Sequence, residues 1–430
     1  MRSVHIDVTY TSITVSYHRG PNADPITVLR VVGMRTQDFT RLERLRALVT
    51  DVSRTTIPVE EARVRFDAVV TAAHPYRRWL VTTASAVLAA AVAVLIGGGW
   101  LVTLVSFVSA VAIDRSTHFL YKLGIAPFFA QVIAAAIPTA TATLLVVAAT
   151  RGSGTAASIE PSLVVAAGIV LLLSGMSVVG AAEDALAGYY VTAGARTFEV
   201  GVLTLGIVIG VSLVLSIGNR LGYYVAVTSM TTLEPSRALQ LGCSFVIAAA
   251  FAVSAYAVGR AVFMSAVLGT VAWWMYAALT GATLGAATSA AIAAAVVGLL
   301  AQAASGRLNM SAIAVTTGGI VPLLPGRAVY QGISQIVSDP ETGFVTGMTT
   351  LAGAAGIGMG LAAGVSIGSY FGGLIGAWRF GGTLPRIAGQ RRRDGDEPRA
   401  SDARADVDGF AGSSDDTGAL TPVRPPGGPT

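Results

Sequence analysis

The stretch GIVLLLSG at residues 168–175 returns as GIVPLLPG at residues 319–326, with six of the eight positions identical. Further along the chain, Ser-Ile-Gly occurs at 216–218 and again at 366–368. The glycine of this tripeptide lies 43 residues after Gly175 in the first case and 42 residues after Gly326 in the second. Because both the letters and the spacing recur, the sequence predicts two homologous halves, which we place at 79–219 and 220–379.

The charged residues of the chain are very unevenly distributed. Between Leu80 and Trp378 only 17 of 299 residues are charged, whereas the other 131 residues carry 36. Soluble domains are about one quarter charged, so the middle of the chain does not resemble one. Its apolar runs are long enough to cross a bilayer, which excludes a soluble enzyme. Cys243 is the only cysteine and therefore excludes a disulfide scaffold.

We predict a mainly α-helical polytopic membrane protein with ten transmembrane helices. Hydropathy places these spans at 80–97, 99–114, 124–149, 161–180, 197–218, 238–258, 260–279, 282–302, 308–325 and 351–378.

The flanking segments differ from the membrane block. Alternating apolar and polar residues at 4–17 predict paired strands, and 25–33 predicts another. Amphipathic helices are predicted to begin near Asp38 and Pro58, so residues 1–78 are expected to form a small α+β domain. Residues 380–430 have hardly any large apolar side chains and are expected to be disordered.

Basic residues mark the two ends of the membrane block. Arg77 and Arg78 precede the first span, and an arginine-rich segment follows the last one. Under the positive-inside rule, both termini are expected to be cytoplasmic. The basic residues are therefore interpreted as topology signals, and no nucleic-acid partner is expected.

The number of spans in each half has a consequence for topology. Five is odd, so the second half is expected to enter the membrane from the opposite side, giving two five-helix inverted repeats. Secondary transporters are often built this way, with the substrate bound between the repeats near the membrane midplane. A duplicated channel remains an alternative.

The repeated motif is also where the helices are expected to break. The candidate break residues are Ser174, Gly175, Pro322, Pro325 and Gly326. Proline removes a backbone donor, and glycine relaxes the dihedral limits. Inside a membrane, the freed backbone groups are tolerated only against protein or a water-filled cavity. Ordinary span ends with turn residues are the alternative.

Ionisable residues are concentrated between the fourth and fifth predicted spans. Glu183, Asp184 and Glu199 could bind a substrate ammonium group or a proton, and Arg196 could hold a carboxylate. The alternative is a solvated loop with an incidental ion pair.

In the second half, Arg327 directly follows the Pro-Gly break, and Gln331 lies one helical turn further on. An arginine beside freed backbone donors suits an anionic group, although it could instead be a boundary residue that extends to the membrane surface. The four histidines show no metal spacing, so neither a metal site nor a cofactor is expected.

The chain resembles the threonine/serine exporter family (ThrE) over roughly residues 1–378. The resemblance rests first on PYRRWL at 75–80, which enters the first span, and on GGGW at 97–100, which closes it. The family's signature around the fourth and fifth spans is similar to Gly175, Asp184, Gly188, Thr192, Arg196 and Glu199. Its second-half signature is similar to Leu324-Pro325-Gly326 followed by Gly332.

The resemblance implies export of threonine and serine across the bacterial inner (plasma) membrane, driven by the proton motive force. Together with the repeat, it leads us to expect a secondary exporter that works by proton-coupled alternating access. The lipid bilayer and protons are its expected partners, and an oligomer is possible. Three alternatives stay open: an exporter of another small carboxylate such as a dicarboxylate, a passive channel, and a membrane-anchored enzyme acting through its soluble domain.

Overall fold

The computed structural model describes residues 4–17, 24–32, 37–54, 57–150, 161–172, 175–223, 235–282, 284–308, 310–338 and 343–380. The expected disordered tail therefore lies outside the described residues, except for its first position.

The amino-terminal segment contains a small sheet followed by two helices. Strands β1 (Val4–Val8), β2 (Ser12–Tyr17) and β3 (Ile26–Val31) pair in that order, and both pairs are antiparallel. The short β1–β2 connection is fixed by Thr9 and Ser12, whose hydroxyl groups lie 2.8 Å apart. Helices α1 (Phe39–Arg54) and α2 (Val59–Thr71) follow. Asp38 caps α1, because its Oδ1 accepts the Arg41 backbone N–H at 2.9 Å. The predicted small sheet is thus confirmed.

Twelve further helices form the apolar block. They are α3 (Arg78–Leu95), α4 (Trp100–Lys122), α5 (Pro127–Thr150), α6 (Pro161–Leu172), α7 (Gly175–Leu186), α8 (Tyr190–Arg220), α9 (Arg237–Ser254), α10 (Gly259–Gly281), α11 (Ala286–Leu308), α12 (Ala312–Ile320), α13 (Gly326–Ser338) and α14 (Gly343–Phe380).

Eight of these helices are long and apolar enough to cross a membrane by themselves. The pairs α6/α7 and α12/α13 are bent by 41° and 47° at short breaks, so counting each pair as one span gives ten among the described residues. The chain is therefore a polytopic, mostly helical membrane protein, as the sequence predicted.

Several predicted span limits need correction. The fourth span reaches Leu186 rather than residue 180, the ninth reaches Ile336 rather than residue 325, and the last helix begins at Gly343 rather than residue 351.

At two further limits, charged residues lie inside helices. The second span was predicted to end at residue 114, but α4 continues to Lys122. Asp114 is accommodated because its Oδ1 lies 2.9 Å from Arg78 Nη2 and its Oδ2 accepts the Thr82 hydroxyl at 2.7 Å. The fifth span was predicted to begin at residue 197, whereas α8 already begins at Tyr190.

Two helical hairpins match in length and turn conformation although their sequences differ. The hairpins α3–α4 and α9–α10 have helices of matching length, with 18 residues in α3 and α9 and 23 residues in α4 and α10. Both connections contain four residues. In each connection the second residue has a positive φ, which is 92° at Gly97 and 56° at Tyr256. Two different sequences thus form hairpins with the same helix lengths and the same turn conformation.

Helix packing repeats in the same order in both halves. Helix α3 packs on α4 and α6, α4 packs on α5, α5 on α8, and α7 on α8. In the second half, α9 packs on α10 and α12, α10 on α11, α11 on α14, and α13 on α14. The two halves therefore share one packing scheme.

The recurring Ser-Ile-Gly element has a packing role. Gly218 of α8 faces Thr143 of α5, where an added Cβ would lie 3.2 Å from a side-chain methyl group. Gly368 of α14 faces the backbone of α11 at Ala295, with no room for a Cβ. The absence of a side chain lets each helix pair approach closely.

The halves meet along α3 and α9 and along the broken helices. Tyr76, two residues before α3, donates its hydroxyl to the Ala257 carbonyl, three residues after α9, at 2.8 Å. The start of α3 therefore lies beside the end of α9. Helix α7 packs on α14 of the second half, while α13 packs on α6 and α8 of the first.

Candidate functional site

The two helix breaks lie against each other between the halves. Val170 and Leu171 at the end of α6, Met176 at the start of α7, and Val321 and Leu324 beside the second break belong to one apolar cluster. We call these five residues the break junction. Gly326, the first residue of α13, closes it from one side, since a Cβ there would lie 2.9 Å from both methyl groups of Val170.

The second break follows from its prolines. Helix α12 ends at Ile320, and a single 3₁₀ turn, Val321–Leu323, contains Pro322. Neither Pro322 nor Pro325 can donate a backbone hydrogen bond, so the helical ladder stops and restarts at Gly326.

At the first break, α6 ends at Leu172 and α7 begins at Gly175, whereas Ser174 lies outside the described residues. The freed Leu172 carbonyl accepts Gln131 Nε2 at 2.9 Å, and Gln131 is 8% exposed. Gln131 is not among the residues predicted from the sequence, although an amide in the apolar run of α5 was the available signal.

Tyr330 is the largest side chain among the most deeply buried described residues, at 2% exposure. It lies on α13 and packs with residues of α6 and α8 in the first half. Its hydroxyl has no hydrogen-bond partner within the described part of the chain. Arg327 is exposed and acts electrostatically on Tyr276 of α10, and Gln331 is half-buried.

An ion pair joins α7 to α8. Arg196 Nε lies 3.2 Å from Asp184 Oδ2, and the two side chains are 32% and 23% exposed. The contact lacks hydrogen-bond geometry, because Asp184 Oδ2 accepts no hydrogen bond from any described residue. Gly180 makes room for the guanidinium group, which a Cβ at that position would strike.

These residues do not form a loop between spans, contrary to the sequence interpretation. Glu183 and Asp184 lie in the last turn of α7, and Arg196 and Glu199 lie within α8. The hydropathy pattern falls at each charge, but both helices continue through them, and Asp184 and Arg196 pair with each other. Glu183 is half-buried beside Asp184.

Glu199 contacts the amino-terminal domain. The Tyr10 hydroxyl, in the β1–β2 connection, donates to Glu199 Oε2. No sequence pattern predicts this pair, because the two residues are 189 positions apart.

The domain also binds the α9–α10 connection. The backbone N–H of Phe39 donates to the Ala255 carbonyl at 3.1 Å, and that of Thr40 donates to Tyr256 at 3.2 Å. The His74 ring stacks on Tyr256 with centroids 4.5 Å apart. Burial at this contact raises the pKa of the Tyr76 phenol. The domain therefore touches both halves.

The predicted site residues do not form a single cluster. Asp184 and Arg196 are in contact, with Glu183 adjacent, whereas no hydrogen bond or ion pair between described residues joins Arg327 or Gln331 to them. Within the same part of the chain, no three His, Cys, Asp or Glu side chains are grouped so that they could hold a metal ion.

Family models and individual relatives match this chain along most of its length and point to the same family. Residues 1–218 match the family model described as "Putative threonine/serine exporter", and residues 240–367 match "Threonine/Serine exporter, ThrE". The chain is 34% identical over 397 residues to the "Probable threonine/serine exporter" of Mycobacterium tuberculosis (strain ATCC 25618 / H37Rv), covering 89% of this chain and 72% of the relative.

It is 32% identical over 377 residues to the "Threonine/serine exporter" of Corynebacterium glutamicum, covering 85% of this chain and 74% of that protein. No solved structure matches the chain. With both halves matched by family models and two relatives aligned along most of its length, the chain belongs to the threonine/serine exporter family.

Proposed function

We propose that this protein is a secondary active exporter of threonine and serine that exchanges the amino acid for protons by alternating access. It resides in the bacterial inner membrane with both termini in the cytoplasm. The observation that carries the proposal is the meeting of two broken helices between two halves with the same packing scheme.

The direction of equivalent helices supports inverted repeats. Helices α3 and α9 open the two halves and pack together. The Tyr76–Ala257 hydrogen bond joins the start of one to the end of the other. Leu88 and Ile247, both near the middle of their helices, share one cluster. Two equivalent helices that run in opposite directions are what an inverted repeat requires.

The broken helices give the proposed exporter its moving parts. The second helix of each pair contacts both halves: α7 packs on α8 and on α14, and α13 packs on α14 and also on α6 and α8. A change in the relative tilt of the halves would therefore act directly on the break junction. Alternating access about a central site is the motion that inverted-repeat transporters use.

The Asp184–Arg196 pair supplies a means of coupling. A zwitterionic amino acid can replace the intramolecular pair, with its carboxylate on Arg196 and its ammonium on Asp184. A proton on Asp184 removes the charge that holds the ammonium. Proton and substrate therefore compete for one carboxylate, which is the requirement for exchange. Glu199 is a second proton-accepting candidate, and Arg327 a second carboxylate-binding candidate.

The test is efflux from cells preloaded with a threonine dipeptide. Asp184→Asn and Arg196→Ala are each expected to slow threonine efflux strongly at normal expression. Asp114→Asn is the matched control, because it removes an ion pair of 2.9 Å to Arg78 on other helices. Wild-type rates in both test variants would refute the site, and efflux insensitive to a protonophore would indicate a channel.

A further inference from the structure

Four basic side chains lie together where the last turns of α4 pass the start of α3. Arg115, His118 and Lys122 are spaced three and four residues apart on α4, so they lie on one face of that helix. Arg78, the first residue of α3, faces them, because its Nη2 donates to Asp114 Oδ1 at 2.9 Å. Arg78, Arg115 and Lys122 all act electrostatically on His118. We call these four residues the basic cluster.

A single acid balances the three permanent positive charges of the basic cluster. Asp114 pairs with Arg78, and its Oδ2 lies 3.5 Å from Arg115 Nη2. Of the described groups that act on His118, three are cations and Asp114 is the one acid. Lys122 is exposed, and no ion pair between described residues holds it. Three cations and one acid leave two positive charges uncompensated, so the cluster attracts an anion.

Three large apolar side chains beside the basic cluster are exposed, and we call them the apolar rim. Trp79 and Phe119 are each 61% exposed, and Leu123 is 60% exposed. Each of them directly follows a cluster residue or lies one helical turn from one. The cluster also lies at the ends of two candidate spans, Arg78–Leu95 and Trp100–Lys122. Aromatic residues at span ends lie at the level of the lipid headgroups, which puts the basic cluster at the depth of the headgroup phosphates.

We propose that the basic cluster binds the phosphate of an anionic phospholipid, whose acyl chains lie along the apolar rim. Guanidinium groups bind phosphate oxygens through two parallel N–H donors, and the lysine ammonium adds a point charge. Basic pockets between the ends of membrane helices are suited to lipid headgroups. A free phosphate ion would use the cations but not the apolar rim, so the rim favours a lipid. The site belongs to α3 and α4, whereas the proposed substrate residues lie on α7, α8 and α13.

The experiment measures binding of labelled dioleoylphosphatidylglycerol to the purified full-length protein in a neutral detergent. Lys122→Gln is expected to raise the Kd about fivefold, which is the contribution of one basic residue near an anionic lipid surface. The double substitution Arg115→Gln and Lys122→Gln should raise it about thirtyfold. Arg220→Gln is the matched control, because it removes the same charge from the exposed end of α8, and it should leave the Kd unchanged.

Competition identifies the source of the phosphate. Unlabelled dioleoylphosphatidylglycerol should displace the labelled lipid, whereas equal concentrations of dioleoylphosphatidylcholine or inorganic phosphate should not. Equal Kd values for folded Lys122→Gln and Arg220→Gln proteins would overturn the proposal, and this comparison decides even if the double variant does not fold. Displacement by inorganic phosphate would overturn it in favour of a free-phosphate site. Equal displacement by phosphatidylcholine would overturn it by showing that the apolar rim binds lipid without the charges.

Discussion

The close packing of α14 on α11 allows a quantitative prediction for Gly360→Ala. A Cβ at Gly360 would lie 2.5 Å from the Ala287 carbonyl oxygen, 3.3 Å from its carbonyl carbon and 3.6 Å from the Ala291 Cβ. An ordinary carbon–oxygen contact is about 3.3–3.6 Å. The obstacle is backbone and cannot rotate away, so the two helices must separate locally by close to 1 Å.

The cost follows from that separation. A gap of about 0.5–1 Å forfeits roughly a quarter to a half of each dispersion contact along the interface. Overpacked sites typically lose about 1–3 kcal/mol. Gly356→Ala is the matched control on the same helix, because a Cβ there meets nothing within 4 Å. Both substitutions gain the same helix preference of about 0.5–1 kcal/mol.

The assay is thermal unfolding of both variants purified in the same detergent. Gly360→Ala should melt below the wild type and below Gly356→Ala, which should equal or exceed the wild type. Equal melting temperatures for the two variants would show that Gly360 is not needed for the close approach of α14 to α11.

Three other outcomes are expected. Reversing the Asp184–Arg196 pair by the double substitution Asp184→Arg and Arg196→Asp should restore expression lost in either single reversal but not efflux; restored efflux would contradict a role in binding. Asp38→Ala should remove the α1 cap, worth about 1 kcal/mol, and limited proteolysis should then cut the amino-terminal domain faster; an unchanged rate would contradict the capping role of Asp38. Burial raises the pKa of Glu43, with Arg260 partly opposing it, so stability should fall as the pH rises from the ordinary glutamate pKa to the raised one. Glu43→Gln should reduce the decline in melting temperature over this pH range, whereas Glu60→Gln should not. Identical pH profiles of melting temperature for the two variants would contradict a role for Glu43.

Sequence patterns predicted the membrane block, the small sheet and the family, because hydropathy and alternation are local properties. They misjudged helix limits at α4 and α8 for one physical reason. Charges were taken as span ends, but Asp114 is neutralised by Arg78 and Arg196 by Asp184 across neighbouring helices. Such ion pairs depend on how the helices pack, which cannot be seen in the amino-acid sequence.

Other features required three dimensions altogether. The hairpins α3–α4 and α9–α10 share length and turn conformation while Gly97 corresponds to Tyr256, so residue identity did not reveal the match. The Tyr10–Glu199 contact joins distant segments. Tyr330 was visible beside the second break, but its orphaned hydroxyl became apparent only from burial.

Proton-coupled export is tested most directly by threonine flux through the purified protein under an imposed pH gradient. Liposomes loaded with labelled threonine are diluted into acidic or matched buffer, and efflux and internal pH are recorded together. Proton-coupled exchange predicts faster efflux into acidic buffer, accompanied by acidification of the lumen. Serine should elicit the same acidification, and a non-hydroxylated dicarboxylate should not. Threonine efflux at the same rate in both buffers, with no proton movement, would contradict proton-coupled exchange.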